Sequence, residues 1–140
     1  MAVPDDDPSA IPNEVRLFRR ISPAMIVYDG NQDRWRATSQ NFQDSKDGTP
    51  MSVFAENIAD EHGELPAHFL LGRWSDWGLA AVVAGHMREL GQRVYPDPHN
   101  QDAEDRFESH SAVAGNKKAQ NIRKRMSDRA ELIIVPKLQS

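Results

Sequence analysis

The stretch SAVAGNKKAQNIRKRMSDRAELIIVP, residues 111–136, decides how this chain is read. Ser111 to Ala114 is short and apolar, as a buried strand is. Gly115 and Asn116 supply a turn and a helix cap. Lys117 to Arg129 reads as a helix, because Ala119, Ile122, Met126 and Ala130 fall on one stripe at spacings of three and four. Lys118, Arg125 and Arg129 gather on another face of the same helix. Leu132 to Val135 is then a strand, stopped by Pro136. A strand–helix–strand end of this kind belongs to an α+β domain.

Moving outward, Leu79 to Ala84 is an apolar run bounded by glycines and reads as a buried strand. His86 to Leu90 makes one helical turn closed by Gly91, and Arg93 to Tyr95 is a short strand ended by Pro96 and Pro98. Near the start, Val15 to Ile21 reads as a strand. Val15, Leu17 and Arg19 point one way; Arg16, Phe18 and Arg20 point the other. Ala24 to Tyr28 is rich in β-branched and aromatic residues, and Asp29-Gly30-Asn31 turns the chain after it. Trp35 to Phe42 reads as a strand or an ordered loop. In the middle, Ser52 caps an expected helix through Ala55, Ile58 and Ala59 that ends at Gly63. Leu65 to Trp74 is open between helix and strand, and Gln101 to Glu108 is an acidic exposed loop. Residues 1–12, with three prolines and Asp5, Asp6 and Asp7, have little to bury and read as a disordered tail. The expectation is a single compact α+β domain over residues 13–140, with a mixed or antiparallel sheet and two or three short helices.

A chain of 140 residues can build one sizeable core. With 39% hydrophobic and 27% charged residues, it is well short of the disorder signature. The absence of cysteine excludes a disulfide framework, a thiolate nucleophile and a Cys-based zinc site. No apolar run reaches the roughly 20 residues a membrane span needs. The N-terminus carries acids where a signal peptide carries bases, so the expected location is cytoplasmic with no membrane contact.

The net charge of −4 argues against a generic nucleic-acid binder, but it averages over unlike blocks. Residues 116–130 hold six bases and one acid. Residues 97–108 hold five acids and one base. Residues 16–36 hold five arginines and two aspartates.

No phosphate-binding G-x-x-x-x-G-K-[ST], no G-x-G-x-x-G, no H-E-x-x-H and no G-x-S-x-G occurs. No cofactor is therefore expected. No two of the five histidines are three or four residues apart, so no single helix offers a paired imidazole site. Glu61, His62, Glu64 and His68 lie near one another in sequence, but at irregular spacing, and no metal site is assigned to them.

Three groups of candidate residues remain. Lys117 and Lys118, in the first turn of the expected helix, oppose its macrodipole by about 0.3–1 kcal/mol each. A bound phosphate would reverse that sign. With Arg125 and Arg129 they form an anion- or nucleic-acid-binding set. The helix lacks interleaved aromatics, so base stacking is not indicated by it. Arg19, Arg34 and Arg36 sit beside aromatics on expected strands, where a guanidinium can clamp a phosphate or pair with Asp29 and Asp33. For catalysis, Asp97 and His99 are two apart and can share a strand face as an acid–imidazole pair. His110 and Glu56 are the other acid–base candidates.

The succession LFRRIxP, RWRATSQNF, PMSVF, RELGQRVYPDP and HSAVAG with a basic helix after it resembles a group of small uncharacterised bacterial proteins, over most of residues 16–136. That resemblance implies no particular activity. A second likeness is to ADP-ribosyltransferase-like domains, including the RES toxins. It would place Arg19 or Arg20, Ser39 and Glu56 in that family's site roles, although its glycine-rich and aromatic context is missing here. The expected function is a non-catalytic accessory protein that binds another protein. One alternative is a small enzyme acting on a nucleotide or NAD. The other is nucleic-acid backbone binding through the basic helix.

Overall fold

The computed structural model describes residues 5–45, 48–99, 101 and 106–136. Its frame is an antiparallel six-stranded sheet whose two faces follow from side-chain alternation. The strands are β1 (Arg16–Ile21), β4 (Met51–Ala55), β5 (Gly78–Val83), β6 (Arg93–Pro96), β7 (His110–Ala114) and β8 (Glu131–Ile134). They lie in the order β6-β7-β4-β1-β5-β8. Each neighbouring pair is antiparallel. β2 (Ile26–Asp29) and β3 (Arg34–Ala37) form a separate two-stranded ribbon. Three helices complete the fold: α1 (Glu56–Glu61), α2 (Ala84–Glu89) and α3 (Gln120–Arg129). The expected α+β class holds, with the sheet antiparallel throughout.

β1 shows how sequence sets the layers. Leu17 and Ile21 join one core with Val53, Val82, Val94 and Val113, capped by Met87 of α2, by Met126 of α3 and by Ala130 just after it. Phe18 points the other way and joins Phe54, Leu79, Ala81, Phe69 and Leu70, with Trp74, Trp77 and Phe107 packed against them. Apolar residues at every second position thus serve two covers on opposite faces. The stretch 65–74, ambiguous in sequence, is a pair of 3-10 turns at Pro66–Leu70 and Gly72–Trp74. Arg20 reaches into this second cover. Its Nε donates to the Phe69 carbonyl at 2.6 Å and its guanidinium lies 4.4 Å from the Trp74 ring centre.

Three expectations are corrected. Ser52 does not cap a helix. It lies in β4, because Met51–Ala55 pairs with β1 and β7, and the helix begins only at Glu56. The basic helix begins at Gln120 rather than Lys117, and Ala119 stands exposed. Residues 5–12 are packed rather than disordered. Ile11 is fully buried, and the Asp6 carboxylate accepts Arg88 Nε at 2.7 Å and the Val94 amide at 2.8 Å. The acidic run finds a cation and a strand-edge amide that local composition does not reveal. Residues 1–4, 46–47 and 102–105 of the expected tail, turn and acidic loop lie outside the described residues.

Gly78 is where β5 passes closest to its neighbours. A Cβ there would sit 2.9 Å from the Ile134 carbonyl oxygen and 3.0 Å from Ile26 Cδ1. Gly78→Ala is expected to lower stability by about 1–3 kcal/mol through forced displacement of β8. Urea unfolding measures it, and an unchanged midpoint would refute the close-approach account.

Candidate functional site

α3 lies across one face of the sheet and is held by its apolar side. Met126 is fully buried and Ser127 Oγ donates to the Ala37 carbonyl at 2.7 Å. Helical spacing then puts Arg125 and Arg129 on one flank, Arg123 on the other, and Lys124 between them on the outer side.

On the first flank, α3 meets α2. His86 Nε2 lies 3.3 Å from the Arg125 carbonyl, and His86 Nδ1 lies 3.3 Å from Arg129 Nη1 and 3.7 Å from Glu89 Oε2. A guanidinium only donates, so the contact with Arg129 uses the Nδ1 lone pair. Nε2 then carries the hydrogen given to Arg125. Beside this cluster is an open cleft of about 370 Å³, lined by His86, Glu89, Leu90, Arg125, Asp128 and Arg129. It adjoins a wider depression of about 640 Å³ that adds Asn13, Glu14, Val83 and Gly85. Its polar lining is two arginines, two carboxylates and His86, whose ring nitrogens face the Arg125 carbonyl and the Arg129 guanidinium.

On the second flank, α3 meets the β2–β3 ribbon. Arg36 Nη1 lies 3.4 Å from Ser127 Oγ, and Arg34 Nη2 lies 3.5 Å from the Asp128 carbonyl. Arg36 also pairs with Asp29 at 3.3 Å. The ribbon register sets Tyr28 opposite Trp35, and their rings meet edge to face at 5.5 Å. Both stay largely in water, Tyr28 at 51% and Trp35 at 41% exposure.

The structure therefore sets Arg34 and Arg36 against one flank of α3 and Arg125 and Arg129 on the other, and it places the rest of the expected anion-binding set elsewhere. Lys117 is buried. Its Nζ donates to Asp44 Oδ1 at 2.7 Å and to the Gly115 carbonyl at 3.3 Å. Burial holds its ammonium below the ordinary lysine value even with that partner. Arg19 is committed to the backbone, donating to the carbonyls of Asn41 at 2.7 Å and Ser52 at 2.8 Å. Burial pulls its guanidinium down to about 10. Both are withdrawn from ligand binding because their donors are used inside the fold. Lys118 is exposed, but in a turn before α3, where its amide donates to Asn116 Oδ1 at 3.0 Å.

Two of the catalytic candidates, His110 and Asp97, meet through the Asp97 backbone. Asp97 lies past the end of β6 and His99 in an exposed turn, so the two share no strand face. The His110 ring is buried, edge-on to Phe54, with Nδ1 2.6 Å from the Asp97 carbonyl. Glu56 is an ion-pair partner of Arg16, with Arg16 Nε donating to Oε1 at 3.2 Å. Arg19 and Arg20 serve opposite faces of β1, with their Nε atoms given to the Asn41 and Phe69 carbonyls. Among the described residues, no group of three His, Asp or Glu side chains is placed to hold a metal ion. His68 Nδ1 instead accepts the Leu65 amide at 3.0 Å, and Glu64 accepts the amides of Glu108 and Ser109.

His86, Glu89 and the Tyr28–Trp35 pair were not expected in a site. His86 meets a residue 39 positions away, which no spacing rule reaches. The aromatic pair was legible in principle, since a hairpin about Asp29-Gly30-Asn31 puts the two rings on neighbouring strands. Comparison with family models, with curated proteins and with solved structures finds no match for this chain.

Proposed function

We propose that this protein is a non-catalytic binding module that holds the phosphate backbone of a nucleic acid on α3 and the adjoining ribbon. The observation that carries the reading is the contact of Arg34 and Arg36 with the Asp128 carbonyl and the Ser127 hydroxyl, which sets the ribbon's cations against the helix that carries the other block, and we read the two as one belt. The two blocks carry Arg34, Arg36, Arg123, Lys124, Arg125 and Arg129 against Asp29, Asp33, Asp128 and Glu89, so cations predominate.

The net charge of −4 does not oppose this. The pairs Asp6–Arg88, Asp44–Lys117 and Glu56–Arg16 cancel one for one and leave the rest of the chain acidic, so the charge that bears on binding is the local one along α3 and the ribbon. An apolar docking surface around Trp74 and Trp77 would favour a protein partner instead, but both rings are half-buried against the sheet.

Fluorescence anisotropy with a labelled single-stranded oligonucleotide tests the reading. If four phosphates are neutralised, affinity is expected to fall about 50-fold between ~50 and ~200 mM salt. The double variant Arg125→Glu with Arg129→Glu is expected to lose binding at every salt concentration. An undiminished affinity in that variant, or no binding by the parent at low salt, sinks the proposal.

A further inference from the structure

We infer that the Tyr28–Trp35 pair is a stacking platform for unpaired bases, so that the nucleic acid held here is single-stranded. This rests on the belt reading above and specifies its ligand.

The ribbon has four-residue strands, and its core-facing pair, Ile26 and Ala37, is buried at 7% and 2% exposure. Anchoring of the ribbon is thus met by that pair and by the Ser127 bond to the Ala37 carbonyl. Tyr28 and Trp35 share the face of Ile26 and Ala37 by alternation, but lie beyond the core cover and keep about half and two-fifths of their surface in water. Their contact is edge to face at 66°, which does not stack the two ring faces on one another.

Arg34 and Arg36 occupy the ribbon's other face. The ribbon is two strands wide, about 5 Å between strand axes, so a polymer crossing its edge meets both faces. Phosphates then lie toward the arginines and α3, and bases toward the rings. A duplex keeps its bases stacked on each other and offers no free face to an aromatic side chain. An unpaired strand offers one per nucleotide, whatever its sequence.

The test compares three probes of about twelve nucleotides: a single strand, the matching duplex, and an abasic strand carrying the same phosphates. The parent is expected to bind the single strand about tenfold or more tightly than the abasic strand. Trp35→Ala with Tyr28→Ala is expected to erase that difference while leaving the abasic affinity unchanged. Trp35→Phe, which keeps a π face and the ribbon's apolar pairing, is expected to retain most of it. In a Trp74→Phe, Trp77→Phe background, the remaining Trp35 emission is expected to be quenched by the single strand and not by the abasic one.

Equal affinity of the parent for base-bearing and abasic strands overturns the platform and leaves the belt reading standing. So does an undiminished preference in the alanine variant. Binding to none of the three probes overturns both.

Discussion

Phe69→Ala is expected to lower stability by about 4 kcal/mol, or about 12 °C in melting temperature for a domain of this size. Phe69 sits in a 3-10 turn with no ladder of its own, yet its side chain is fully buried. Its ring stacks on Phe54 at 4.2 Å and 7°, and meets Phe107 edge to face at 4.8 Å. Truncation removes both aromatic contacts and leaves a cavity beneath a cover that short turns cannot close. Because Phe69 packs on the sheet face opposite α3, the folded fraction should bind an oligonucleotide with parental affinity. Urea unfolding and anisotropy below the transition measure the two effects. A loss under 1 kcal/mol would mean that the second face is not a tightly packed core.

Two variants of one ion pair are expected to behave oppositely. Lys117 is 3% exposed and Asp44 36%, so the ammonium is the desolvated partner. Asp44→Ala is expected to cost about 3 kcal/mol, since it strands that ammonium with the Gly115 carbonyl at 3.3 Å. Lys117→Met fills the same volume without a charge and is expected to be near neutral or stabilising. The pH dependence follows from burial. The folded chain releases the Lys117 proton below 10.5, where the unfolded chain still holds it. In the window just under 10.5 the unfolded state therefore binds more protons, and this group's contribution makes stability rise with pH. Tyr95 acts with the opposite sign. Burial raises its phenol above 10.0, so the folded chain keeps a proton that the unfolded chain loses, and stability falls above that value. Subtracting the Lys117→Met profile from the parental one isolates the lysine contribution. A flat difference between pH ~8 and ~10 would contradict the burial account.

Much of the fold was legible wherever one period dominated. The alternation in residues 16–21 placed Phe18 and Leu17 on opposite faces, as found. The apolar runs at 79–84, 111–114 and 132–135 fall within a residue of β5, β7 and β8, and the stripe through Ile122, Met126 and Ala130 packs α3. What failed depended on distant partners. Ser52 looked like a cap because its local sequence permits one, but pairing with β1 and β7 outweighs that preference. Lys117 reads from its neighbours as an anion-binding residue in the first turn of a helix, while its acceptor lies 73 positions away. The belt was half visible as blocks of charge. What joins them, Arg36 against Ser127, spans 91 positions and exists only in three dimensions.

α3 links β7 to β8, and β4, β1 and β5 stand between those two strands in the sheet. A connection that spans so much of the sheet must overcome its loop-closure entropy before its contacts return anything, which delays it relative to local hairpins. During synthesis, a nascent chain therefore carries the ribbon's arginines and the helix's cations as two unconnected patches of charge. Only when β8 docks on β5 are they fixed at one spacing, and the gain in effective concentration arrives in a single step. On the proposed nucleic-acid reading, completion of the sheet is thereby the event that would turn two feeble electrostatic contacts into one grip.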